Sequence, residues 1–304
     1  MTRLLTRWVR HLALVTLSLH GTATYAEALL DRPLAVAVAA NFAGAAEQLA
    51  ASFTEKTGVP VRLVMGSTGL LYAQITQGAP IDLFLSADTE RPQALVAKNL
   101  GIGQSYAIYT LGRLVLWVPD GENVDPAAFL TAADSVALAN PLLAPYGRAA
   151  SDVIARFPTQ SANLRIVRGQ NISATFTQIA SGAVPGGFVA LSQVLAQGIP
   201  REQYRVMPED WHQPIEQALV LIKHQNVHPA AQSFRGFLLS EKASVMLSAQ
   251  GYVAVGGDQQ HEYRLASLFA NCAAGWDNHG DPISRGNAAG LVVGALSTAL
   301  GRLG

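Results

Sequence analysis

Residues 64–88 read Val64-Met-Gly-Ser-Thr-Gly-Leu-Leu-Tyr-Ala-Gln-Ile-Thr-Gln-Gly-Ala-Pro-Ile-Asp-Leu-Phe-Leu-Ser-Ala-Asp88, and the fold of the chain follows from this stretch. It opens with the end of an apolar run suited to a buried strand. Leu71 and Ile75 are four residues apart, so they share one face of a helix, which ends at Gly78 and the proline soon after it. Residues 81–85 are apolar again and predict another strand. The stretch therefore predicts a strand–helix–strand unit.

A small polar turn, Gly66-Ser67-Thr68-Gly69, lies where this helix begins. Serine or threonine at such a position can cap the helix. The first backbone N–H groups of a helix lack partners within it, and the helix dipole places partial positive charge there. The turn is therefore either an ordinary helix cap or part of an anion-binding site, and the choice depends on whether the same device recurs.

The first residues resemble a targeting segment rather than part of the fold. Three arginines precede a short apolar run at residues 12–19, and small residues around Ala26 and Ala28 follow it. This order is typical of a secretory signal peptide, and the apolar run is too short to span a bilayer. We predict a signal peptide at residues 1–26 and export to the periplasm. A permanent signal anchor is the alternative, and the Ala-x-Ala pattern argues against it.

Charge and cysteine content exclude several classes of protein. Removing the three leader arginines from 21 basic residues leaves 18 against 21 acidic ones, a net formal charge of −3. Nucleic-acid-binding proteins usually carry a basic patch or stripe, and this chain has none. Cys272 is the single cysteine, so no internal disulfide can form. Stability must then come from an apolar core, and half of the residues are apolar.

Strands and helices alternate along the rest of the chain. We predict strands at residues 34–39, 62–65, 81–85, 114–118, 136–139, 164–167, 186–191 and 218–222, and helices follow most of them. Asn41 is placed to cap the first helix, and residues 140–147 are predicted as a loop because two prolines interrupt them. The alternation predicts an α/β fold with mostly parallel sheets. Roughly ten strands suggest two sheets, hence two lobes with a ligand cleft between them.

The polar turn at residues 66–69 has counterparts at three other strand–helix junctions. Each of the four offers backbone N–H groups at the start of a helix, and none contains lysine or arginine. If they converge in one cleft, such neutral donors suit a small tetrahedral anion. Simple helix caps at Asn41 and Thr68, and a packing role for Tyr146, are the alternatives. The four turns are Ala40-Asn41, Ser67-Thr68, Pro145-Tyr146-Gly147 and Asn171-Ile172-Ser173.

Other candidates for a catalytic or metal site are weaker. His212, His224 and His228 lack the spacing of metal ligands on one helix. Asp82 and Asp88 flank a strand and can both be structural. The chain contains no Gly-x-Ser-x-Gly, no His-Glu-x-x-His and no phosphate-binding P-loop. We therefore expect no catalytic residues, no cofactor and no metal apart from a bound oxyanion.

Short sequence pieces resemble the molybdate-binding periplasmic proteins of bacterial ABC uptake systems. The resemblance runs from about Leu34 to Val255, and the number and order of the pieces make it specific. The pieces are Val38-Ala-Ala-Asn-Phe42, Gly66-Ser-Thr-Gly69, Tyr72-Ala-Gln-Ile75, Gly78-Ala-Pro80, Asp82-Leu-Phe-Leu-Ser-Ala-Asp88, Leu114-Val-Leu-Trp117, Asn140-Pro141, Ala144-Pro-Tyr-Gly147 and Gly187-Phe-Val-Ala190.

The resemblance implies a two-lobed type II periplasmic binding fold that closes around molybdate or tungstate. It also implies an ABC importer permease as partner, a monomer, and no nucleic acid. The implied ligands are Ala40 and Ile172 through backbone N–H groups and Asn41, Thr68 and Tyr146 through side chains. Many relatives have serine at the positions of Asn41 and Thr68. Additional candidate ligands in the same turns are Ser67, Gly147, Asn171 and Ser173.

The resemblance and the strand count also predict the domain organisation. A first lobe comprises residues 27–112 and 218–256, and a second lobe comprises residues 113–217. The chain crosses between them near residues 110–113 and 217–222, where hinge motion would close the cleft. Residues 257–304 form a C-terminal extension outside the binding fold, with a partner-binding or membrane-surface helix as the alternative.

Two rival functions remain open at this stage. One is a binding protein for another oxyanion such as sulfate or phosphate, which the size of the cavity would distinguish. The other is an exported α/β enzyme, which the missing acid–base–nucleophile set disfavours. A DNA-binding regulator with a similar sensor lobe is excluded by the predicted signal peptide and by the absence of a helix-turn-helix motif.

Overall fold

Ten strands make up the sheets in the part of the chain that the computed structural model describes, residues 32–159 and 164–255. The predicted signal peptide, the C-terminal extension from residue 257 and Cys272 lie outside the described residues. The strands are β1 Leu34–Ala39, β2 Val61–Gly66, β3 Leu83–Leu85, β4 Ala107–Gly112, β5 Leu114–Trp117, β6 Ser135–Ala139, β7 Arg165–Gly169, β8 Gly187–Ala190, β9 Tyr204–Val206 and β10 Ile215–Leu221.

Helices follow most of these strands, as the alternating pattern predicts. The α-helices in the described residues are α1 Ala43–Thr57, α2 Thr68–Thr76, α3 Glu90–Ala97, α4 Pro126–Ala132, α5 Pro145–Ala155, α6 Ile172–Ala180, α7 Leu191–Ala196, α8 Ala231–Leu238 and α9 Glu241–Ala249. Single-turn 3₁₀ helices lie at Ala40–Phe42, Gly103–Ser105, Arg201–Gln203 and Glu209–Trp211. None of the helices in the described residues is long and apolar enough to cross a membrane.

The strands form two sheets of five with the same topology. The orders are β2-β1-β3-β10-β4 and β7-β6-β8-β5-β9. In each sheet four strands run in one direction, whereas β10 or β5 runs against both of its neighbours. The prediction of mostly parallel sheets is confirmed, because four of the five strands in each sheet share one direction. The single reversed strand makes each sheet mixed. β10 and β5 each enter their sheet from the other sheet, without the crossover helix that makes successive strands parallel.

The chain passes between the sheets twice. Only Arg113 separates β4 in the first sheet from β5 in the second. The return strand β10 begins at Ile215, which pairs with Gly112, so it enters the first sheet two residues before the predicted crossing at 217–222. The two crossing strands therefore lie side by side. The division into lobes at residues 112/113 and 217/218 stays a prediction. The paired strands β4 and β10 contain or adjoin both of these positions.

The central strands of each sheet are covered on both faces, which explains why they are continuously apolar. All six residues of β1 are buried. Leu34, Val36 and Val38 pack in one cluster with Phe53 of α1. Ala35 and Ala37 face a second cluster with Leu71 of α2. The fold is therefore a two-lobed α/β fold in which helices leave only the strand ends free to build a site.

Candidate functional site

Two neighbouring strand–helix turns from each sheet meet at one place. In the first sheet β1 and β2 are parallel and their last paired residues are Ala39 and Gly66. In the second sheet β6 and β7 end at the corresponding pair, Ala139 and Gly169. Because the carboxyl ends of parallel strands lie at one edge, both turns of each sheet open at the same edge.

The first turn differs from the prediction for Asn41. Residues 40–42 form a 3₁₀ turn, α1 begins at Ala43, and no side chain caps it. Asn41 is therefore not the helix cap, and that prediction was wrong. Its side-chain Nδ2 instead donates to Gln217 Oε1 on β10 at 2.9 Å. Its carbonyl oxygen accepts from the Tyr252 hydroxyl at 2.7 Å, so partners distant in sequence set its orientation.

In the second turn, Ser67 caps the helix and Thr68 is left as the candidate ligand. Ser67 is the N-cap of α2, and its Oγ accepts from Leu70 N at 3.4 Å. Thr68 is the first residue of the helix rather than its cap, and its Oγ1 accepts from Ala87 N at 3.3 Å. Because that oxygen accepts from the protein, the threonine hydroxyl proton can be donated to a ligand.

The third turn is helical rather than a loop. α5 begins at Pro145, where proline suits the first helical position, so the loop predicted for residues 140–147 ends earlier. Tyr146 is 1% exposed, and its hydroxyl proton has no acceptor among the described residues. Gly147 is required here because a Cβ would lie 2.0 Å from Ala139 O. The glycine lets the first turn of α5 approach the end of β6.

The fourth turn also has a side-chain cap. Asn171 caps α6, and its Oδ1 accepts from Ala174 N at 2.9 Å. Ile172 is the first helical residue, so its N–H has no partner within the helix. Ser173 Oγ donates to Ala40 O at 3.2 Å, which joins the first and fourth turns. The Ser173 hydroxyl proton is thus used within the protein.

The structure brings the implied ligands of the four turns together. Ala40, Tyr146 and Ile172 belong to one apolar cluster, and this cluster also contains Ala87, the backbone partner of Thr68. The exposed fractions of Ala40, Asn41, Thr68, Tyr146 and Ile172 lie between 1% and 9%. The site is therefore enclosed, and hydrogen bonds made inside it are little weakened by water.

The donors of the site are neutral at ordinary pH. Burial raises the pKa of Tyr146 well above its usual value, and the neighbouring Tyr252 adds to this. A hydrogen bond from the Asn41 side chain to the phenol oxygen partly opposes the rise, and it leaves the phenol proton free. The phenol therefore stays protonated and can donate. Arg148 is the nearest cation along the chain, and its guanidinium is paired with Asp88 at 3.2 Å and Glu90 at 2.8 Å.

Sequence reasoning missed a ring of polar side chains around Asn41, which consists of Tyr109, Ser192, Gln217 and Tyr252. Gln217 contacts Asn41, and Tyr109 donates to the same Gln217 oxygen at 3.2 Å. The Ser192 hydroxyl and the Tyr252 hydroxyl both donate to Asn41 O, at 3.2 and 2.7 Å. A glutamine in an otherwise largely apolar buried strand is the one signal in the sequence that could have indicated this ring.

The remaining sequence candidates lie in structural roles. The Asp82 carboxylate, at the opposite end of β3 from the site, pairs with both terminal nitrogens of Arg32 at 2.7 and 2.6 Å. His224 Nε2 lies 3.3 Å from Asp82 Oδ1, and the backbone N of His228 donates to the same oxygen at 2.8 Å. Within the described residues, no group of three or more histidine, cysteine, aspartate or glutamate side chains could hold a metal.

Two topologically equivalent sheets, joined by paired crossing strands and enclosing a polar site at their carboxyl ends, define a two-lobed binding protein. The family model of bacterial extracellular solute-binding proteins matches residues 34–253, and the chain belongs to this family. Among curated relatives, the molybdate-binding protein ModA of Rhodobacter capsulatus is 40% identical over 220 residues, which are 71% of this chain and 86% of the relative.

Solved structures agree with this assignment. The periplasmic molybdate-binding protein of Azotobacter vinelandii superposes with a TM-score of 0.67 at 34% identity, covering 72% of this chain and 98% of that one. A sulfate-binding protein of Mycobacterium tuberculosis matches with a TM-score of 0.59 at 14% identity, covering 76% of this chain and 90% of that one. The second match shows the fold alone. The choice of anion therefore depends on the site and not on the architecture.

Proposed function

We propose that this protein captures molybdate outside the cytoplasm and delivers it to an ABC importer. The relatives at 40% and 34% identity are named as molybdate-binding proteins, which supports this ligand. The leader segment supports export to the periplasm. The proposed ligands are the N–H groups of Ala40 and Ile172 and the side chains of Asn41, Thr68 and Tyr146.

One observation carries the proposal: the Tyr146 hydroxyl is buried and protonated, and it has no acceptor among the described residues. A buried donor without a partner costs free energy, and an anion oxygen in the enclosed site would relieve that cost. The four surrounding turns add neutral donors and no lysine or arginine. Charge-assisted hydrogen bonds of about 1.5–3 kcal/mol each can bring the total to about −8 kcal/mol or better without a counter-ion.

A site made of donors should select a fully ionised anion. Molybdate and tungstate are dianions at neutral pH, whereas phosphate carries a proton that needs an acceptor. Sulfate is also fully ionised, but it is smaller, so donors placed for a larger anion would leave its hydrogen bonds long. We propose on this basis that tungstate binds as well and that sulfate and phosphate bind more weakly.

The remaining parts of the proposal concern partners and chemistry. We propose a monomer that works with an importer permease and neither binds nucleic acid nor needs a cofactor. The relatives are named as binding proteins, which agrees with a function that is not enzymatic. Turnover of an ester substrate by the purified protein would contradict this part.

Calorimetric titration of the purified protein with molybdate, tungstate, sulfate and phosphate tests the proposal. We expect molybdate and tungstate to bind with submicromolar dissociation constants, and sulfate and phosphate to bind at least about tenfold more weakly, a difference of about 1.4 kcal/mol. A protein that binds sulfate more tightly than molybdate, or binds none of the four anions, would overturn it.

A further inference from the structure

Gln217 is a buried polar residue that neither the turns nor the strand pattern explains. It lies in β10, one of the two strands that cross between the lobes, and it is completely buried. The pairing of β10 with β4 shifts register between Gln217 and Ala218, so the strand is irregular at this residue. Such an irregularity re-aims a side chain, and bulges are common next to functional sites.

The carbonyl end of the Gln217 side chain is fully used by the protein. Its Oε1 accepts from Asn41 Nδ2 at 2.9 Å and from the Tyr109 hydroxyl at 3.2 Å. An amide oxygen has two lone pairs, and both now have a donor. The Tyr109 hydroxyl also lies 3.4 Å from Ser86 O, so its single proton is shared between two possible acceptors. With the amide oxygen assigned toward Asn41 and Tyr109, the NH₂ group faces the other way.

The amide nitrogen of Gln217 lacks an acceptor, and so does the neighbouring Tyr146 hydroxyl. Gln217 Nε2 has no hydrogen-bond partner among the described residues, the Tyr146 hydroxyl proton has no acceptor there, and both atoms are buried. They lie 2.9 Å and 2.0 Å from the point where a Cβ on Gly112 would stand. Two unsatisfied donors, Gln217 Nε2 on β10 and the Tyr146 hydroxyl on α5, thus lie next to Gly112. Only glycine leaves room for both of them there.

We propose that Gln217 Nε2 is a further ligand of the oxyanion, donating to it beside Asn41 and Tyr146. This inference rests on the proposed function and deepens it. An anion oxygen is an acceptor that both unsatisfied donors could share, and the dianion carries no proton that could conflict with them. A ligand on β10 would connect the anion to a strand that passes between the lobes, as well as to the helix starts. Anion binding would then favour one relative position of the two lobes.

Gln217→Glu separates a ligand from a mere support of Asn41. The glutamate keeps an oxygen that accepts from Asn41 and Tyr109, but it replaces the NH₂ group by a second oxygen. At pH 8 this carboxylate would face the dianion, so we expect molybdate affinity to fall by more than about a hundredfold. Burial and the anion raise the glutamate pKa, so protonation near pH 5.5 should restore an O–H donor and part of the affinity.

The groups that face Gln217 do not titrate in this pH range. They are the phenols of Tyr109 on β4 and Tyr146 on α5, and burial raises the pKa of both well above the usual value. The unsubstituted protein should therefore bind molybdate almost equally at pH 8 and pH 5.5. Gln74→Glu is the matched control, because it makes the same chemical change at an exposed position of α2. We expect its affinity to stay within about threefold.

The outcomes distinguish this inference from the proposed function. If the unsubstituted protein binds no dianion, the proposed function fails. If it binds molybdate and Gln217→Glu binds equally well at pH 8, only the role of Gln217 is refuted. Should the variant not fold, NMR of the unsubstituted protein decides: the Gln217 side-chain amide protons should shift and exchange more slowly with molybdate, and unchanged signals would refute the role.

Discussion

At the scale of single residues, the site depends on which hydrogen-bonding atoms the protein leaves unused. Asn171 and Ser173 direct side-chain atoms to the backbone, and the Ser67 oxygen accepts a helix N–H. Tyr146 does not share this arrangement, because its hydroxyl is buried without an acceptor. Residues of similar chemistry in the four turns therefore have different roles, and the unused donors should carry most of the binding.

The first prediction concerns Asn41 and Tyr146. Asn41→Ala and Tyr146→Phe should each weaken molybdate binding by about 1–3 kcal/mol, because an anion oxygen would lose its donor in a buried site. Calorimetry measures the change. Tyr72→Phe, which removes a phenol hydroxyl from α2, is the control and should leave affinity unchanged. Wild-type affinity should stay level up to about pH 9, since the raised pKa of Tyr146 keeps the phenol protonated.

The second prediction concerns Gly112, the last residue of β4. An added Cβ would lie 2.0 Å from the Tyr146 hydroxyl, so Gly112→Ala must displace the phenol or the strand. We expect molybdate affinity to fall by at least about tenfold, or 1.4 kcal/mol. Gly236→Ala is the control, since its Cβ meets no atom within 4 Å and alanine favours the helix. Equal affinities of the two variants would contradict this account of the crossing strand.

At the scale of elements, one buried carboxylate joins several segments at the end of the sheet opposite the site. Asp82 pairs with Arg32 and accepts from the backbone N of Ala35 at 2.9 Å and of His228 at 2.8 Å. Burial would raise the pKa of Asp82, but the hydrogen bonds from Arg32, Ala35 and His228 and the charge of Arg32 outweigh it and lower the pKa. The carboxylate thus ties β1 and the segment before α8 to β3.

The third prediction follows from this carboxylate. Asp82→Asn should lower the free energy of unfolding by about 2–4 kcal/mol, because one or both backbone donors lose a charged acceptor. Denaturant unfolding at pH 7 measures the loss, and Glu55→Gln on the exposed side of α1 is the control. Because the pKa is lowered, the stabilisation is present above about pH 4 and lost below it. The difference between wild type and variant should therefore shrink in acid, and a constant difference would argue against the ionised pair.

At the scale of the whole molecule, the two lobes touch along the rim of the site. Gly69 N donates to Leu143 O at 2.9 Å, and Arg91 donates to Leu142 O at 3.0 Å. Arg148 on α5 pairs with Asp88, just before α3, and with Glu90, the first residue of α3. These contacts connect the two lobes without using any of the proposed ligand atoms. We therefore expect them to affect how the lobes close and not how the anion is recognised.

The fourth prediction separates these rim contacts from the site. Arg148→Ala should change molybdate affinity by less than about 1 kcal/mol, because its side chain is 44% exposed and such ion pairs contribute little. The variant is measured beside Asn41→Ala in the same titration. If Arg148→Ala abolished binding while Asn41→Ala did not, the anion would be held by charge pairing and the neutral-donor account would be wrong.

Much of the fold could be predicted from local patterns, because they act over a few residues. The all-apolar run of β1 and the Ser67 cap needed only neighbouring residues to be recognised. The prediction for Asn41 failed for the converse reason. Its amide binds Gln217, which is 176 residues away, and this contact outweighs the local preference for capping. The start of α5 at Pro145 was missed because a proline pair was read as loop instead of as a helix start.

The sequence by itself determined the α/β class, the two sheets and the chemical type of the donors, since no turn of the site contains lysine or arginine. Only the tertiary structure decided which donors remain available. Each polar atom in a buried site either bonds to the protein or stays free, and that outcome depends on partners far away in the chain. Gln217 and Tyr252 therefore became part of the site only on folding, when β10 and the segment after α9 packed behind Asn41.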